Sequence, residues 1–464
     1  MNIVENEKYQ SFIASKEFVV KESGITVDKE DLNPMLYDFQ KDIVRWALIK
    51  GKAAIFADCG LGKTPMQLEW ARKVNEYTNK PVLILAPLAV SSQTVHEGEK
   101  FGIAVNICES QEDVINGINI TNYEKLERFV AKEFSGIILD ESSILKSFTG
   151  KVRTMIIDCF RHTPYRLACT ATPAPNDFME LGNHSEFLGV MTRSEMLSMF
   201  FVHDGGETSK WRLKGHAENV FWEWMCSWAV YVNSPEDIGY DQLGEIFRLP
   251  ELKLHEVIVD GETYVTEAMT LTQRRDARRE TLDLRCQRAA DLANASDEQW
   301  LIWCDLNAES ETMGQMVSGG VEVKGSDRND HKASAMMGFS NGDVRCLITK
   351  PSIAGFGMNW QNCHNMVFVG LSDSYEQFYQ AVRRCWRFGQ NHEVNVYIVI
   401  SAREGAVREN IERKQADFDK MKASMAEYTK EITKKEIRST CRVTTAYNAT
   451  KELILPDWRE FRCA

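Results

Sequence analysis

The chain has 464 residues and a net charge of −12, from 67 acidic and 55 basic side chains. This length predicts two or three domains, and a hydrophobic content of 44% excludes a disordered or collagenous protein. The acidic balance excludes a uniformly basic nucleic-acid binder, but it allows a local basic groove, because electrostatic steering depends on where the charges lie.

The sequence predicts a cytoplasmic protein without a membrane segment. No apolar run approaches the ~20 residues that a membrane helix needs. The first residues also lack the basic-then-apolar pattern of a secretory signal. The 12 cysteines are scattered without a C-x-x-C pair, which is typical of reduced thiols rather than of disulfides or a zinc site.

Apolar strands that alternate with amphipathic stretches divide the chain into two α/β halves, each predicted to hold a parallel sheet. Residues 1–30 form an N-terminal segment without a clear pattern, and the predicted units that follow are a first half at 31–190, a helical, aromatic-rich linker at 191–245, a second half at 246–403 and a C-terminal helix and tail at 404–464. The candidate strands are Ala53–Ala57, Val82–Ala86, Gly136–Leu139, Tyr165–Cys169, Trp300–Cys304, Val321–Lys324, Cys346–Ile348, Met366–Val369 and Asn395–Ile400.

Three stretches allow two interpretations each. The Trp and Phe residues of 200–228 could stack on unpaired bases, but we favour a buried core that packs the linker. The Arg-rich run at 274–288 and the charged stretch at 404–436 mix both signs of charge. We predict that both are solvated helices, although each could also brace the backbone of a nucleic-acid duplex.

A phosphate-binding loop is predicted between a strand and a helix. Ala53–Ala57 is followed by Gly60, Gly62, Lys63 and Thr64, and a helical pattern then begins. Glycines let backbone N–H groups approach phosphate oxygens, and the helix N-terminus favours negative charge. We expect Lys63 to reach the β- and γ-phosphates of ATP and the Thr64 hydroxyl to bind Mg²⁺.

Polar residues also follow two further predicted strands. Asp140 and Glu141 come directly after an apolar strand, and the carboxyl edge of a parallel sheet would place them beside the phosphate loop. We expect Asp140 to hold Mg²⁺ and Glu141 to orient and deprotonate the attacking water. Thr170 and Thr172 follow the next strand and are candidates for sensing the γ-phosphate, although a turn explains them as well.

Two arginines of the second half complete the predicted catalytic set. If their segment is helical, Arg384 and Arg387 share a face. They would then enter the ATP site from the opposite lobe and stabilise the charge that spreads over the γ-phosphate. An exposed basic helix is the alternative.

Together these residues resemble those of superfamily-two helicases and translocases, most closely the Swi/Snf branch. The resemblance covers roughly residues 31–400 and lies in eight motifs in the family's order. The further stretches that carry it are Leu36–Gln40, Ala86–Leu88, Ile120–Tyr123, Asp140–Ser143, Ala354–Asn359 and Gln380–Gln390. It implies two RecA-like lobes in tandem and a compact protein of bacterial or phage type.

The resemblance also implies roles for residues outside the ATP chemistry. Gln40 would read the adenine edge, and Gly357 and Gln380 would join Thr170 and Thr172 in coupling ATP to movement. Contacts with the nucleic-acid backbone would come from Pro87, Thr121, Asn122 and Asn359. Ser143 stands where the family usually has His or Asp, which puts the strength of the coupling in question.

The function predicted from the sequence is an ATP-dependent DNA translocase or helicase that acts on double-stranded or forked DNA. None of these residues is known to read a 2′-hydroxyl, so the sequence does not separate DNA from RNA as the substrate. An RNA helicase is therefore the near alternative. The alternative from another class is a nucleic-acid-binding scaffold with a weak ATPase that recruits a nuclease or a replication partner, and Ser143 is the residue that favours it.

Overall fold

Two parallel sheets dominate the computed structural model. It describes residues 20, 22–87, 90–146, 150–175, 177–204, 207–260, 271–354, 358–372 and 374–439. Each sheet belongs to one α/β lobe, so the predicted tandem of RecA-like lobes is confirmed. No helix in these ranges is long and apolar enough to cross a membrane.

The first lobe is built on a seven-stranded sheet. The strands in this part of the chain are β1 (Lys52–Ala57), β2 (Val82–Ala86), β3 (Val105–Ile107), β4 (Ile118–Asn122), β5 (Gly136–Asp140), β6 (Tyr165–Thr170), β7 (Phe201–Asp204), β8 (Glu207–Leu213) and β9 (Ala229–Val232). The sheet order is β3-β4-β2-β5-β6-β1-β9, with every pair parallel. Strands β7 and β8 form a separate antiparallel hairpin.

Helices cover both faces of this sheet, which is why strands such as β2 are apolar along their whole length. They are α1 (Asp38–Lys50), α2 (Lys63–Thr78), α3 (Ser91–Lys100), α4 (Lys151–Phe160), α5 (Leu181–Leu188), α6 (Arg193–Phe200) and α7 (Glu218–Cys226). Two apolar clusters fill the space on the two sides of the sheet.

The second lobe has a six-stranded parallel sheet in the order β10-β15-β14-β11-β13-β12. Its strands are β10 (Leu252–Ile258), β11 (Trp300–Cys304), β12 (Gly320–Glu322), β13 (Cys346–Thr349), β14 (Asn365–Val369) and β15 (Val394–Ile400). Its helices are α8 (Gly244–Phe247), just before the first strand, α9 (Leu271–Glu280), α10 (Leu282–Asn294), α11 (Asn307–Met316), α12 (Asn329–Asn341), α13 (Pro351–Ala354) and α14 (Tyr375–Val382). A long helix, α15 (Gly405–Ser439), follows.

The predicted helical linker at 191–245 differs from the structure. It contains the β7–β8 hairpin, and its strand β9 pairs with β1 at the edge of the first sheet. The short run Ala-Val-Tyr-Val of β9 is β-forming, but it lies among so many aromatic residues that periodicity does not separate it from them. Most of the aromatic residues are buried core, as favoured from the sequence: Phe200, Phe221, Trp222 and Trp228 are each at most 2% exposed, whereas Trp211 is only partly buried.

Neither of the two predicted solvated helices is solvated throughout. Helix α15 buries Phe418 and Met425 and also the hydroxyl residues Thr429 and Thr433. In the Arg-rich run, Arg285 is fully buried and its guanidinium contacts Glu309 at 2.6 Å and the Val369 carbonyl at 2.9 Å. These helices carry charge on one face and pack their other face, which a count of charges alone does not reveal.

Candidate active site

Three neighbouring strands bring the predicted catalytic residues of the first lobe together. Strands β1, β6 and β5 lie side by side, so their carboxyl ends meet at one edge of the sheet. A cleft of about 270 Å³ opens there between the two lobes. The predicted site residues that line it are Gln40, Gly60, Gly62, Lys63, Thr64, Asp140, Glu141, Asn359, Arg384 and Arg387.

The phosphate loop depends on two glycines with left-handed backbone. Gly60 and Gly62 have φ angles of +91° and +79°, which other residues adopt only with strain. A Cβ at Gly60 would also lie 2.8 Å from the backbone nitrogen of Phe388, so glycine permits the close approach of the second lobe. Helix α2 begins at Lys63 and directs its N-terminus at the cleft. The Lys63 ammonium donates to the carbonyl of Ala57 at 3.0 Å.

Gln40 lies against this loop. Its side-chain amide accepts from the backbone N–H of Tyr37 at 3.0 Å and donates to the Leu61 carbonyl at 2.9 Å. Two further aromatic residues line the same end of the cleft, since the ring of Phe247 stacks on Phe388 at 4.7 Å and meets Tyr37 edge-on at 5.2 Å. Sequence reasoning did not assign either residue to the site, since Phe247 belongs to no motif and Phe388 was noted only as part of the stretch Gln380–Gln390.

The acidic pair is buried beside the loop. Burial raises the pKa of the Asp140 carboxyl to about 6, and the charge of Glu141 adds to this effect against the opposing influence of Gln67 and Lys63. Gln67 donates to Asp140 Oδ1 at 2.7 Å. It stands one helical turn after Lys63, a spacing that could have identified it. Glu141 has a φ of +54°, a strained conformation that is common at active sites.

The two threonines at the carboxyl end of β6 lie directly behind the acidic pair. The Thr170 hydroxyl donates to Glu141 Oε2 at 3.3 Å and accepts from the Thr172 backbone N–H at 3.1 Å. Both threonines are almost completely buried. The geometry therefore joins the strand that ends in Thr170 to the carboxylate expected to handle the attacking water.

The two arginines reach the cleft from a turn, so the shared helical face that would have followed from a helical segment is not present. Helix α14 ends at Val382, and the next turn is held by a bond from the Trp360 N–H to the Arg384 carbonyl at 2.9 Å. Gln380 accepts from Arg384 Nη2 at 3.1 Å, which fixes its guanidinium. Burial and the neighbouring Arg384 lower the pKa of Arg387 to about 10, so this cation lacks full compensation and favours an anionic ligand.

A second acidic centre lies just outside the cleft, and the sequence motifs did not indicate it. The Asp58 carboxylate accepts from Tyr379 Oη at 2.9 Å and from Lys422 Nζ at 2.7 Å, and it lies 3.2 Å from Arg383 Nη2. Burial raises the pKa of this carboxyl, but the charges of Arg383 and Lys422 outweigh burial and hold the pKa well below its usual range.

The predicted nucleic-acid residues are not brought together in the same way. Thr121 and Asn122 are buried, and the Asn122 side chain caps a short helical turn by accepting from the Lys125 N–H at 3.1 Å. They are therefore not part of an accessible surface here, since Thr121 is 2% exposed and Asn122 is 5% exposed. Pro87 is half-buried at the end of β2. Asn359 lines the nucleotide cleft rather than a separate groove. Gly357, predicted to couple the lobes, lies outside the described residues.

A buried histidine supports the acidic strand and predicts acid sensitivity. The His184 ring nitrogen Nε2 lies 3.0 Å from the Ser142 hydroxyl, and burial lowers the pKa of this ring from 6.5 to about 4. The unfolded chain therefore binds a proton below pH 6.5 that the folded protein does not accept until about pH 4. We expect this group alone to cost the fold about 3 kcal/mol as the pH falls through that window.

Urea unfolding at pH 7.5 and pH 4.5 tests this linkage in the wild type, His184→Gln and His96→Gln. His184→Gln should lose clearly less stability than the wild type on acidification, whereas His96→Gln, altered at an exposed position, should match the wild type. Equal losses in all three proteins would contradict the assignment.

Comparison with known proteins finds similarity to a helicase domain family, to one curated protein and to a solved structure. Residues 284–389, within the second lobe, match the family model of the helicase conserved C-terminal domain. The chain is 23% identical over 414 residues to the SWI/SNF-related matrix-associated actin-dependent regulator of chromatin subfamily A-like protein 1 of Xenopus laevis, a match that covers 79% of this chain and 42% of that protein. A solved structure with similarity is the Sulfolobus solfataricus SWI2/SNF2 ATPase core in complex with dsDNA, at 17% identity and a TM-score of 0.42, covering 90% of this chain and 99% of that one.

Two parallel-sheet lobes lie in tandem, and the second contains the match to the helicase conserved C-terminal domain. The chain is similar to proteins of the Swi/Snf type in its curated relative and in the order of its motifs. It spans less than half the length of that relative.

Proposed function

We propose that the chain is a nucleic-acid-dependent ATPase that uses ATP hydrolysis between its two lobes to move along DNA, as a translocase or a helicase. The observation that carries the proposal is the composition of the cleft. Lys63, Thr64 and the acidic pair come from the first lobe, and Arg384 and Arg387 come from the second lobe, more than 300 residues later. A site built from both lobes makes lobe closure a condition for hydrolysis.

The residues of the cleft fit ATP with Mg²⁺. Lys63 and the N-terminus of α2 provide positive charge for phosphates, and the aromatic wall of Tyr37, Phe247 and Phe388 offers apolar surface to a base. The Thr64 hydroxyl and the Asp140 carboxylate are hard oxygen ligands of the kind that Mg²⁺ prefers. A bound Mg²⁺ would neutralise charge on the β- and γ-phosphates.

The chain's own residues divide the work of hydrolysis. Glu141, held by Thr170, would orient the attacking water and accept its proton. Lys63 would hold the terminal phosphates, and Arg384 and Arg387 would stabilise the negative charge that develops on the transferred group. Because Gln380 fixes Arg384, a shift of α14 changes the position of the catalytic charge. We infer that this is how movement of the second lobe and hydrolysis depend on each other.

DNA is the proposed track because the motif order is that of the Swi/Snf type, whose curated relative is named as a regulator of chromatin. Contacts with a nucleic-acid backbone depend on phosphate charge and carry little sequence information. We therefore expect binding with weak sequence preference and a steep dependence on salt. A nuclease or a replication protein is a further candidate partner of the chain.

Steady-state ATP turnover with single-stranded, double-stranded and forked DNA and with RNA tests the proposal. We expect double-stranded or forked DNA to stimulate turnover at least about tenfold, and the stimulation to fall as the salt concentration rises. Displacement of a triplex strand without unwinding of a fork would identify a translocase, and the reverse result would identify a helicase.

Stronger stimulation by RNA than by any DNA would replace the proposal with an RNA helicase. Nucleotide binding with background turnover on every nucleic acid would replace it with a scaffold whose ATPase is weak. Turnover that is high and independent of nucleic acid would refute all three functions.

A further inference from the structure

Four charged or polar groups from three parts of the chain meet just beside the phosphate loop. Asp58 belongs to the loop itself, Tyr379 and Arg383 belong to α14 and the turn after it, and Lys422 belongs to α15. We call these four residues the Asp58 cluster. None of them lines the nucleotide cleft, so the catalytic chemistry proposed above does not use them.

We propose that the Asp58 cluster is an inter-lobe clamp that positions Arg384 and Arg387 at the nucleotide, and that α15 is a working part of it through Lys422. The proposal rests on the proposed ATPase function and names positioning residues for that same site. These residues act through the catalytic arginines and do not themselves touch the phosphates.

Arg383 lies close to the catalytic arginines in the chain. Arg383 precedes Arg384 directly, and both are almost completely buried. The Arg383 guanidinium donates to the Cys59 carbonyl at 2.7 Å and pairs with Asp58. The turn that carries Arg384 and Arg387 is therefore attached to the phosphate loop by its own first residue.

The charges of Asp58 and Arg383 are buried. The Asp58 side chain is 11% exposed and that of Arg383 is 3% exposed. A buried charge is costly unless a partner is present, so separation of the lobes would leave two uncompensated charges or require water to enter. The arrangement in which the two lobes are in contact is therefore a distinct state, separated in energy from arrangements in which the lobes are apart.

Helix α15 contacts both lobes. Phe418 packs against Tyr379 of α14 with ring centroids 5.2 Å apart. Further along the helix, Tyr428 stacks on Trp222 of the first lobe at 5.7 Å, and Glu436 pairs with Lys50 at 3.1 Å. Lys422 lies between these two attachments.

Because α15 is one continuous helix, its two attachments set the distance between the lobes at this point. Lys422 adds a charged bond from this helix to the phosphate loop. Any ligand or partner that shifts α15 would therefore change the Asp58 cluster and, through Arg383, the catalytic arginines.

Lys422 supplies the sharpest test, because it lies outside the phosphate loop and the cleft. We expect Lys422→Met to lower the DNA-stimulated kcat about tenfold with little change in the KM for ATP. Lys422→Arg should restore most of the rate, since it keeps the charge. The matched control is Lys420→Met, which removes a lysine from an exposed position on the same helix and should behave as wild type.

A double-mutant cycle shows whether the effect passes through Asp58. Asp58→Asn retains an acceptor for the Cys59 N–H, which now bonds Asp58 Oδ1 at 2.7 Å, but it removes the charge. In the Asp58→Asn background, Lys422→Met should cost no more than about a further twofold in kcat. Independent, multiplying effects of the two substitutions would overturn the proposal.

Solution X-ray scattering of the full chain provides a readout that does not need activity. Lys422→Met and Asp58→Asn should increase the radius of gyration because the lobes separate more often, whereas Lys420→Met should not. A Lys422→Met protein with wild-type kcat and wild-type scattering refutes the clamp. If the wild type itself shows no stimulated turnover, the proposed function fails, and the scattering comparison alone decides whether the clamp exists.

Discussion

Lys63→Ala is expected to abolish nucleic-acid-stimulated ATP turnover, with a loss of at least about a hundredfold in kcat. Lys63 begins helix α2 at the floor of the cleft, where its ammonium now donates to the Ala57 carbonyl at 3.0 Å. No other lysine lines the cleft in the described part of the chain, so no neighbour replaces its charge. Phosphate release measured at saturating DNA checks the prediction.

Lys73→Ala is the matched control, because Lys73 lies on the same helix, does not line the cleft and pairs with Glu76 at 3.1 Å. It should retain wild-type turnover, and both variants should show the same unfolding midpoint as the wild type within error. Wild-type turnover in Lys63→Ala would mean that the phosphate loop is not the site of hydrolysis.

The double substitution Arg384→Ala/Arg387→Ala is expected to reduce kcat about a thousandfold or more while a fluorescent ATP analogue still binds. Binding of the nucleotide depends on the first lobe, whereas stabilisation of the transferred phosphoryl group needs the guanidinium groups of the second lobe. Rapid-quench measurement of a single turnover separates the chemical step from binding.

Arg328→Ala serves as the control for this pair, since it removes an exposed arginine from the same lobe. It should leave turnover unchanged. If the double variant hydrolyses ATP at the wild-type rate, the second lobe takes no part in catalysis, and the two-lobe mechanism is wrong.

The local chemistry of the site could be predicted from the sequence because it follows short spacing rules. A glycine-rich turn between a strand and a helix, and a carboxylate pair at the end of an apolar strand, fix their own geometry. The structure accordingly places Lys63, Asp140 and Glu141 on one cleft. Gln67 was not predicted as a site residue, although its position one helical turn after Lys63 on α2 places it on the same face of the helix.

The contacts between the lobes could not be predicted in this way. Asp58 meets Arg383 and Lys422 across more than 300 positions, and no periodicity links residues so far apart. The same limit explains the turn at Arg384, where a tertiary bond from the Trp360 N–H replaces the continuation of α14. The tertiary environment overrode the local helical pattern.

Helix α15 is an intermediate case. Its charges suggested a solvated helix, yet Met425, Thr429, Thr433 and Ile437 recur at helical spacing and are all at most 2% exposed. Two of these four are threonines, so the buried stripe is only partly apolar. A pattern of apolar residues alone therefore does not identify it as a buried face. Small hydroxyl residues can bond within their own helix and then pack, as Thr429 does with the Met425 carbonyl at 2.6 Å.

The most direct test of the central claim is an experimentally determined structure of the chain bound to DNA, Mg²⁺ and an ATP analogue that mimics the γ-phosphate. We expect one nucleotide whose terminal phosphates contact Lys63 on one side and Arg384 or Arg387 on the other. A nucleotide bound to the first lobe alone, with both arginines far from it while DNA is present, would contradict the account.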